Sequence, residues 1–285
     1  MLKTALIDPL VKIALKEDIG AKDITTSALI PSHMAIKAEI EFRQSGVLCG
    51  IEVAERVFRL VDDNLRFLPV AKDGEWVEKG REVAYIEGLG ASILIAERTA
   101  LNLLGHLSGI ATKTKEFVDK VQGIEIKIMD TRKTTPGLRI FEKYAVKIGG
   151  GVNHRFGLYD QVLIKDNHLR ILRQEPFTDM IDRAKQAVLK KTIIGVEVKN
   201  LMELKEALKS KTDYVLLDNM TVDMVRAAVA HRNKIKSKIE LEVSGNVNLD
   251  NVRGYAETGV ERISIGALTH AASSVDISLD IVGSS

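Results

Sequence analysis

Two adjacent cations, Arg132 and Lys133, stand in the stretch DTRKTTPGLR, directly after the strand-forming run IEIKIM. Burying such a pair without counter-charge would be very costly, so either it is solvated on a loop or an anion comes to meet it. Further along, Lys165 falls between Ile164 and Asp166 in QVLIKDNH, a position read as mid-strand. IIGVEVKN carries Glu197 and YVLLDN carries Asp218. The stretches SGN (Ser244, Gly245, Asn246) and IGA (Ile265, Gly266, Ala267) follow two more apolar runs. Cations come first, carboxylates in the middle and small residues last. That series suits a small ligand carrying both carboxylate and phosphate groups. Arginine pairs with planar carboxylates through two hydrogen bonds, lysine acts as a point charge, and glycine-rich turns present backbone N–H groups to phosphate.

A second cationic stretch, KIGGGVNHRFGLYDQVLIKDNH, holds three consecutive glycines and then His154 and Arg155. Residues 130–170 carry eight Lys or Arg against four Asp or Glu. This local excess is larger than the net charge of +2 for the whole chain. Solvated surface accounts for Lys143 and Arg170 but not for Lys165. Glu197 and Asp218, facing phosphates, suit Mg²⁺, which takes oxygen ligands, keeps waters and bridges to substrate phosphate. Hydrogen bonds to sugar hydroxyls, or structural ion pairs to Lys133 or Lys165, are the other roles open to them.

The elements that must position these residues show a change of character near residue 105. Before it come a helix over 2–17, strands at 35–46 and 81–88, and a turn at KDGEW. A helical segment over 93–121 follows, with apolar residues at helical spacing throughout. From there strands alternate with helices such as 200–210 and 221–234, the second with Thr221 as its N-cap. Strands every 20–35 residues with helices between them predict βα units and a parallel sheet. The strands read as continuously apolar, as strands covered on both faces do. In such a sheet rolled toward a barrel, the C-terminal strand ends share one face, and active sites form there.

Composition sets the outer bounds. The 285 residues are 45% hydrophobic and 28% charged, as in an ordinary globular chain. A net charge of +2 gives no global field toward nucleic acid or membrane. Asp8, Pro9, Glu17 and Asp18 interrupt the start too early for a secretory apolar region, and no apolar run approaches the length of a membrane span. Cys49 is the one cysteine, so no internal disulfide forms, and a reducing cytoplasm is the expected compartment. GLGASI has Ile93 where a dinucleotide fingerprint needs its third glycine, and no P-loop occurs. His154 and His168 lack the spacing of zinc ligands, and VAKDGEWVEKGREVAYIEG lacks the modified lysine of a lipoyl or biotinyl carrier.

Taken together, KEDIGAKDITT, DTRKTTPGLR, KIGGGVNHRFGLYDQVLIKDNH, VEVKN, LLDNM, EVSGN and SIGALTHAASSVDISLD resemble the quinolinate phosphoribosyltransferases, a type II phosphoribosyltransferase family, over essentially the whole chain. The two-acid strand motif of type I enzymes is absent. The resemblance implies an N-terminal α/β sandwich over 1–108, joined by the tail at about 271–285, and an incomplete TIM-like α/β barrel over 109–270. It implies Mg²⁺-dependent joining of quinolinate to 5-phosphoribosyl 1-diphosphate, giving nicotinate mononucleotide, diphosphate and CO₂.

By the same resemblance, Arg132, His154, Arg155 and Lys165 would line the quinolinate carboxylate pocket, and Thr131 would be among the substrate-binding residues. Lys133 would face the diphosphate or ribose side, Glu197 and Asp218 would hold ribose hydroxyls and Mg²⁺, and the two small-residue stretches would cradle the 5′-phosphate. Arg98, in AERTALN, would enter the site of a neighbouring subunit in a homodimer, with a hexamer as a further assembly. Arg132, Lys133, Lys165, Glu197 and Asp218 would carry the catalysis. Three other readings stay open on the sequence. They are a Schiff-base barrel enzyme using Lys165, a type II paralogue linked to molybdenum transport, and a non-catalytic binder of phosphorylated metabolites.

Overall fold

The computed structural model describes residues 2–172 and 175–284. By packing, the chain divides into two units. The first takes the residues up to Lys115, then Thr135–Gly150 and the tail from Ala271; the second takes Glu116–Thr134 and Gly151–His270. This differs from one break near residue 108 followed only by a returning tail: residues 109–115 and 135–150 pack with the first unit. Ser285, the end of the expected tail, lies outside the described residues.

The chain opens with α1 (Thr4–Ile19), α2 (Ile24–Leu29), β1 (Ala35–Phe42), β2 (Gly46–Val47) and α3 (Ile51–Val61). Then come β3 (Arg66–Pro69), β4 (Trp76–Val77), β5 (Glu82–Leu89) and α4 (Gly90–Lys120). The polar inserts set the breaks. Asp23 caps α2 by accepting from the Thr26 N–H, and Gly20 closes α1 with φ of 59°. Asp73 accepts from the Gly50 and Ile51 N–H groups at 2.9 and 3.0 Å, so a carboxylate sits at the positive end of α3. Ile51, Val53, Ala54, Val57 and Phe58 form the buried face of α3.

The remaining elements are β6 (Lys127–Met129), α5 (Arg139–Ile148), β7 (Val162–Ile164), α6 (Asp166–Ile171), α7 (Phe177–Ala187) and β8 (Ile194–Val198). After these come α8 (Leu201–Ala207), β9 (Tyr214–Asp218), α9 (Val222–Lys234), β10 (Glu240–Ser244), α10 (Val252–Ala256), β11 (Arg262–Ser264), α11 (Ala267–His270) and β12 (Ile277–Ser284).

The first unit is built on an antiparallel sheet in the order β12-β1-β5-β3. β1 alternates, burying Ile36, Ala38, Ile40 and Phe42 on one face. The tail reaches this sheet along α4. A Cβ at Gly109 would stand 2.0 Å from the Ser273 carbonyl oxygen, so glycine is what lets the two backbones touch. α5 belongs here through its polar contacts: His106 Nε2 lies 3.0 Å from Glu142 Oε1, and the Tyr144 hydroxyl donates to Asp73 at 2.7 Å.

The second unit is a six-stranded parallel sheet in the order β6-β11-β10-β9-β8-β7, with helices between the strands. β6 and β7 are its edges, so the barrel stays open. Register aligns three layers on one face. The lowest is Leu163, Gly195, Tyr214 and Glu240; the middle is Glu197, Leu216, Glu242 and Arg262; the uppermost is Asp218, Ser244 and Ser264. The other face carries buried Val196, Val215, Leu217, Leu241, Val243 and Ile263. The expectation of continuously apolar strands is therefore corrected for β10 and β11. Both alternate polar and apolar residues, because the inner face of an open barrel is partly a binding cavity.

Candidate active site

The inner face leads up into a cavity of about 700 Å³ at the C-terminal ends of the strands, built entirely within the second unit. Its lining includes Thr131, Arg132, Lys133, His154, Arg155, Lys165, Glu197 and Asp218. The residues Ser244, Gly245, Asn246, Ile265, Gly266 and Ala267 complete the predicted set. Arg98 is not in this lining. It lines a separate pocket of about 370 Å³ in the first unit, with Asn102 and Asp276, and its guanidinium lies 3.5 Å from Glu97.

Several of the predicted residues are held by local chemistry. The turn after β6 is tied by the Lys133 N–H donating to the Thr131 hydroxyl at 3.0 Å. The Thr269 hydroxyl donates to the Lys133 carbonyl at 2.6 Å. Asp130, fully buried, accepts from the His154 N–H at 2.8 Å and from the Asn153 amide at 2.6 Å, pinning the segment after the three glycines. The His154 ring accepts the Arg155 N–H at Nδ1, 2.7 Å away. Burial, and then the charge of Arg132, lowers the proton affinity of Arg155, whose guanidinium donates to the Gln161 carbonyl at 3.1 Å. Two guanidinium groups held together in this way repel each other, and an anionic ligand would relieve that repulsion.

Lys165 corrects the sequence reading in one respect. It is not mid-strand but just past β7, as the N-cap residue of α6, where its N–H donates to His168 Nδ1 at 2.8 Å. Its ammonium reaches back to Glu197 Oε2 at 3.2 Å. Glu197 is buried within β8 rather than at its end. Asp218 ends β9 beside Ser244, its register partner on β10.

The small-residue end of the cavity is a strained turn. Asn219, Gly245 and Asn246 all have positive φ, of 55°, 95° and 51°. A Cβ at Gly245 would meet Asn219 Oδ1 at 2.2 Å. The Asn219 N–H donates to the Ser244 carbonyl at 2.8 Å, and the Asn246 amide donates to Asn219 Oδ1 at 3.1 Å. Left-handed turns of this kind point successive N–H groups outward as an anion-binding concavity.

Sequence reasoning missed Glu242, Tyr214 and Asn219. Glu242 and Asn219 line the cavity, and Tyr214 lies beneath it. The signal for Glu242 was present: Glu240-Leu241-Glu242-Val243-Ser244 alternates strictly, which places both glutamates on the face opposite the helices.

No group of three or more His, Cys, Asp or Glu suited to a metal occurs among the described residues. Glu197 and Asp218 supply two carboxylates in one cavity, and one Glu197 oxygen already accepts from Lys165. That donor set does not make an all-protein cage. It fits an ion such as Mg²⁺ that arrives with substrate phosphates and keeps its waters.

An open parallel α/β barrel with cations, carboxylates and a left-handed backbone turn around one cavity defines an enzyme class that handles phosphorylated, anionic small molecules. Two family models divide this chain. The N-terminal domain of quinolinate phosphoribosyl transferase matches residues 23–108, and the C-terminal domain matches residues 110–280. The chain belongs to the quinolinate phosphoribosyl transferase family.

It is 41% identical over 266 residues to the probable nicotinate-nucleotide pyrophosphorylase [carboxylating] of Bacillus subtilis, covering 93% of this chain and 90% of that protein. It is likewise 41% identical over 276 residues to the nicotinate-nucleotide pyrophosphorylase [carboxylating] of Mycobacterium leprae, covering 95% of each. The crystal structure of NadC from Streptococcus pyogenes superposes with a TM-score of 0.92 at 37% identity over 99% of both chains.

Proposed function

We propose that this protein joins quinolinate to 5-phosphoribosyl 1-diphosphate, forming nicotinate mononucleotide, diphosphate and CO₂. The observation that carries this reading is the meeting of carboxylate-binding cations, two acids and a phosphate-type turn in one cavity of a chain from this family. Arg132, Arg155 and Lys165 hold the two quinolinate carboxylates, with His154 and Thr131 beside them. Glu197 and Asp218 take the ribose hydroxyls. The segments Ser244–Asn246 and Ile265–Ala267 receive the 5′-phosphate. Lys133, whose stem crosses Gly266, faces the diphosphate.

These residues act mainly by positioning two anions that would otherwise repel each other. The pyridine nitrogen attacks the anomeric carbon as diphosphate leaves, and no covalent enzyme intermediate is needed. Charge developing on the leaving group meets Lys133 in a cavity where attraction is stronger than in bulk water. Once alkylated, the ring nitrogen draws electrons from C2 and permits loss of the 2-carboxylate. Mg²⁺, held by Glu197 and Asp218 together with the donor, would neutralise phosphate charge.

A Schiff-base role for Lys165 is disfavoured by its ion pair with Glu197 and its 47% exposed side chain, the opposite of a desolvated amine. In a homodimer, Arg98 serves the cavity of a second chain. Among the described residues no helix is long and apolar enough to cross a membrane. A fully buried single thiol, Cys49, is consistent with a cytoplasmic setting.

Incubation with quinolinate, the phosphoribosyl donor and Mg²⁺, following diphosphate and CO₂ together, tests the reaction. Equimolar release of both is the expected result. Release of neither, with folded protein, would overturn it.

A further inference from the structure

The family reaction leaves one proton to be found. When CO₂ departs, the electron pair of the broken C2–C bond remains on C2 of the pyridinium ring, and a hydrogen must take its place. We propose that Glu242 is the group that supplies it, an inference that rests on the reaction proposed above.

The observation behind this is a carboxyl group with no evident structural work. Glu242 has no solvent-exposed surface, yet it lines the active-site cavity. Neither of its carboxyl oxygens has a hydrogen-bond partner. Buried carboxyl groups are nearly always satisfied, and leaving one bare costs more than a typical hydrogen bond is worth. The groups around it are committed elsewhere. Arg262 is its register neighbour on β11, but its guanidinium turns to Glu240, with Nε donating at 2.5 Å, and stacks 4.8 Å over the Tyr214 ring. Burial pushes the Glu240 carboxyl up, but Arg262 and Lys127 outweigh it and hold that group below its ordinary value. On the other side, Leu216 is apolar.

His154 is a polar neighbour in range, and it is not the proton source. Its Nδ1 accepts the Arg155 N–H, so the single ring proton of the neutral imidazole sits on Nε2. Nε2 lies 3.3 Å from Glu242 Oε1, without the alignment of a hydrogen bond, and 3.4 Å from the Tyr214 hydroxyl. Giving up that proton would leave an imidazolate. The Tyr214 phenol is a still poorer donor, because burial pushes it up. Lys165 already donates to Glu197.

Position favours the same group. Glu242 lies on the same strand and face as Ser244, two residues and about 7 Å deeper. If the 5′-phosphate rests on the turn at Ser244–Asn246, the ring beyond the new N–C1′ bond extends toward this floor, and C2 is the carbon next to that nitrogen. The step uses Glu242 in its acid form. The step then balances. The C2–carboxylate bond breaks and CO₂ leaves. The pair on C2 takes the Glu242 proton, and Glu242 is left as a carboxylate that regains its proton from solvent after product release.

The test is E242Q, which keeps the volume but has no acidic proton. The full-length protein is mixed with quinolinate, the phosphoribosyl donor, Mg²⁺ and inorganic pyrophosphatase, and diphosphate release and CO₂ are followed in the same sample. The expected result is diphosphate release within about threefold of wild type and CO₂ release about 100-fold slower, the size typical for loss of a general acid. The dicarboxylate mononucleotide should then accumulate and be visible by mass spectrometry. If diphosphate and CO₂ fall together, or if neither falls, Glu242 is not the donor. If E242Q does not fold, E242D decides. Its carboxyl is withdrawn by one methylene, so CO₂ should lag diphosphate by about tenfold, and an equal rate for both overturns the inference. Failure of the wild-type protein to release diphosphate would instead refute the underlying reaction.

Discussion

Gly195 is the position where the smallest change should reach the chemistry. It lies on β8, on the inner face, and its register partners are Leu163 and Tyr214. A methyl group in G195A would stand 2.2 Å from Tyr214 Cζ, 2.4 Å from Cε1 and 2.6 Å from the hydroxyl. Ordinary contact begins near 3.4 Å, so the ring must retreat by about 1.2 Å. It has nowhere easy to go. Tyr214 is fully buried, Arg262 lies 4.8 Å from its centroid, and the His154 ring meets it edge-on with centroids 6.0 Å apart.

Overpacking of a filled core costs about 1–3 kcal/mol. The displaced ring also presses on His154 and the cavity floor, so KM for quinolinate should rise about tenfold or more. Denaturant unfolding with a parallel kinetic assay reads both effects. The double variant G195A/Y214L, which removes the ring, should regain part of the KM. Unchanged stability and unchanged KM in G195A would show that this layer is not tightly packed, and the account of the cavity floor would fall.

D218N should weaken binding of the phosphoribosyl donor at least tenfold more than binding of quinolinate in separate calorimetric titrations; equal losses would make Asp218 structural. R98A and K165A, each inactive alone, should regain activity when co-expressed, because one site of each hybrid dimer then has an intact Lys165 and an intact Arg98. Isolated hybrids without activity would rule out the shared site. Asp8 is held below the ordinary carboxyl range, chiefly by its hydrogen bond to Arg56, at 2.6 and 2.7 Å. A depressed carboxyl stabilises the fold above its unfolded value, near pH 4, and that contribution disappears as pH falls through the lower folded value. The pair is partly exposed, so D8N should cost under about 1 kcal/mol at pH 7 and progressively less as the pH is lowered through the acid range; a thermal-melt difference independent of pH would contradict this.

The residues that line the cavity were legible because their types are unusual where they stand. Two cations after a strand, three glycines in a row and small residues after two more strands each violate a local expectation, and such violations mark functional sites. The floor of the cavity was harder to see. Reading β10 as one more apolar strand hid the alternation that turns Glu242 inward, and Tyr214 passed as core. Lys165 was placed in a strand because Val162-Leu163-Ile164 carries no stop signal. The grouping of Thr135–Gly150 with the first unit rests on contacts such as His106 with Glu142 and Tyr144 with Asp73, which link positions 36 and 71 residues apart. No local pattern encodes those.

The position of β12 also bears on how this protein is made. β1 lies between β5 and β12, and β12 pairs with it along nearly its whole length, Ile36 with Ser284 through Phe42 with Ile277. During synthesis β5 emerges soon after β1, whereas residues 277–284 emerge some 235 residues later. Until then one side of β1 is an open edge, the kind that recruits stray strands from other chains. At about 5–20 residues per second this exposure lasts on the order of 10–50 seconds on each ribosome. A lesion or fusion at the C-terminal strand would therefore act on the N-terminal sheet. Its first symptom would be aggregation during expression rather than a slow enzyme.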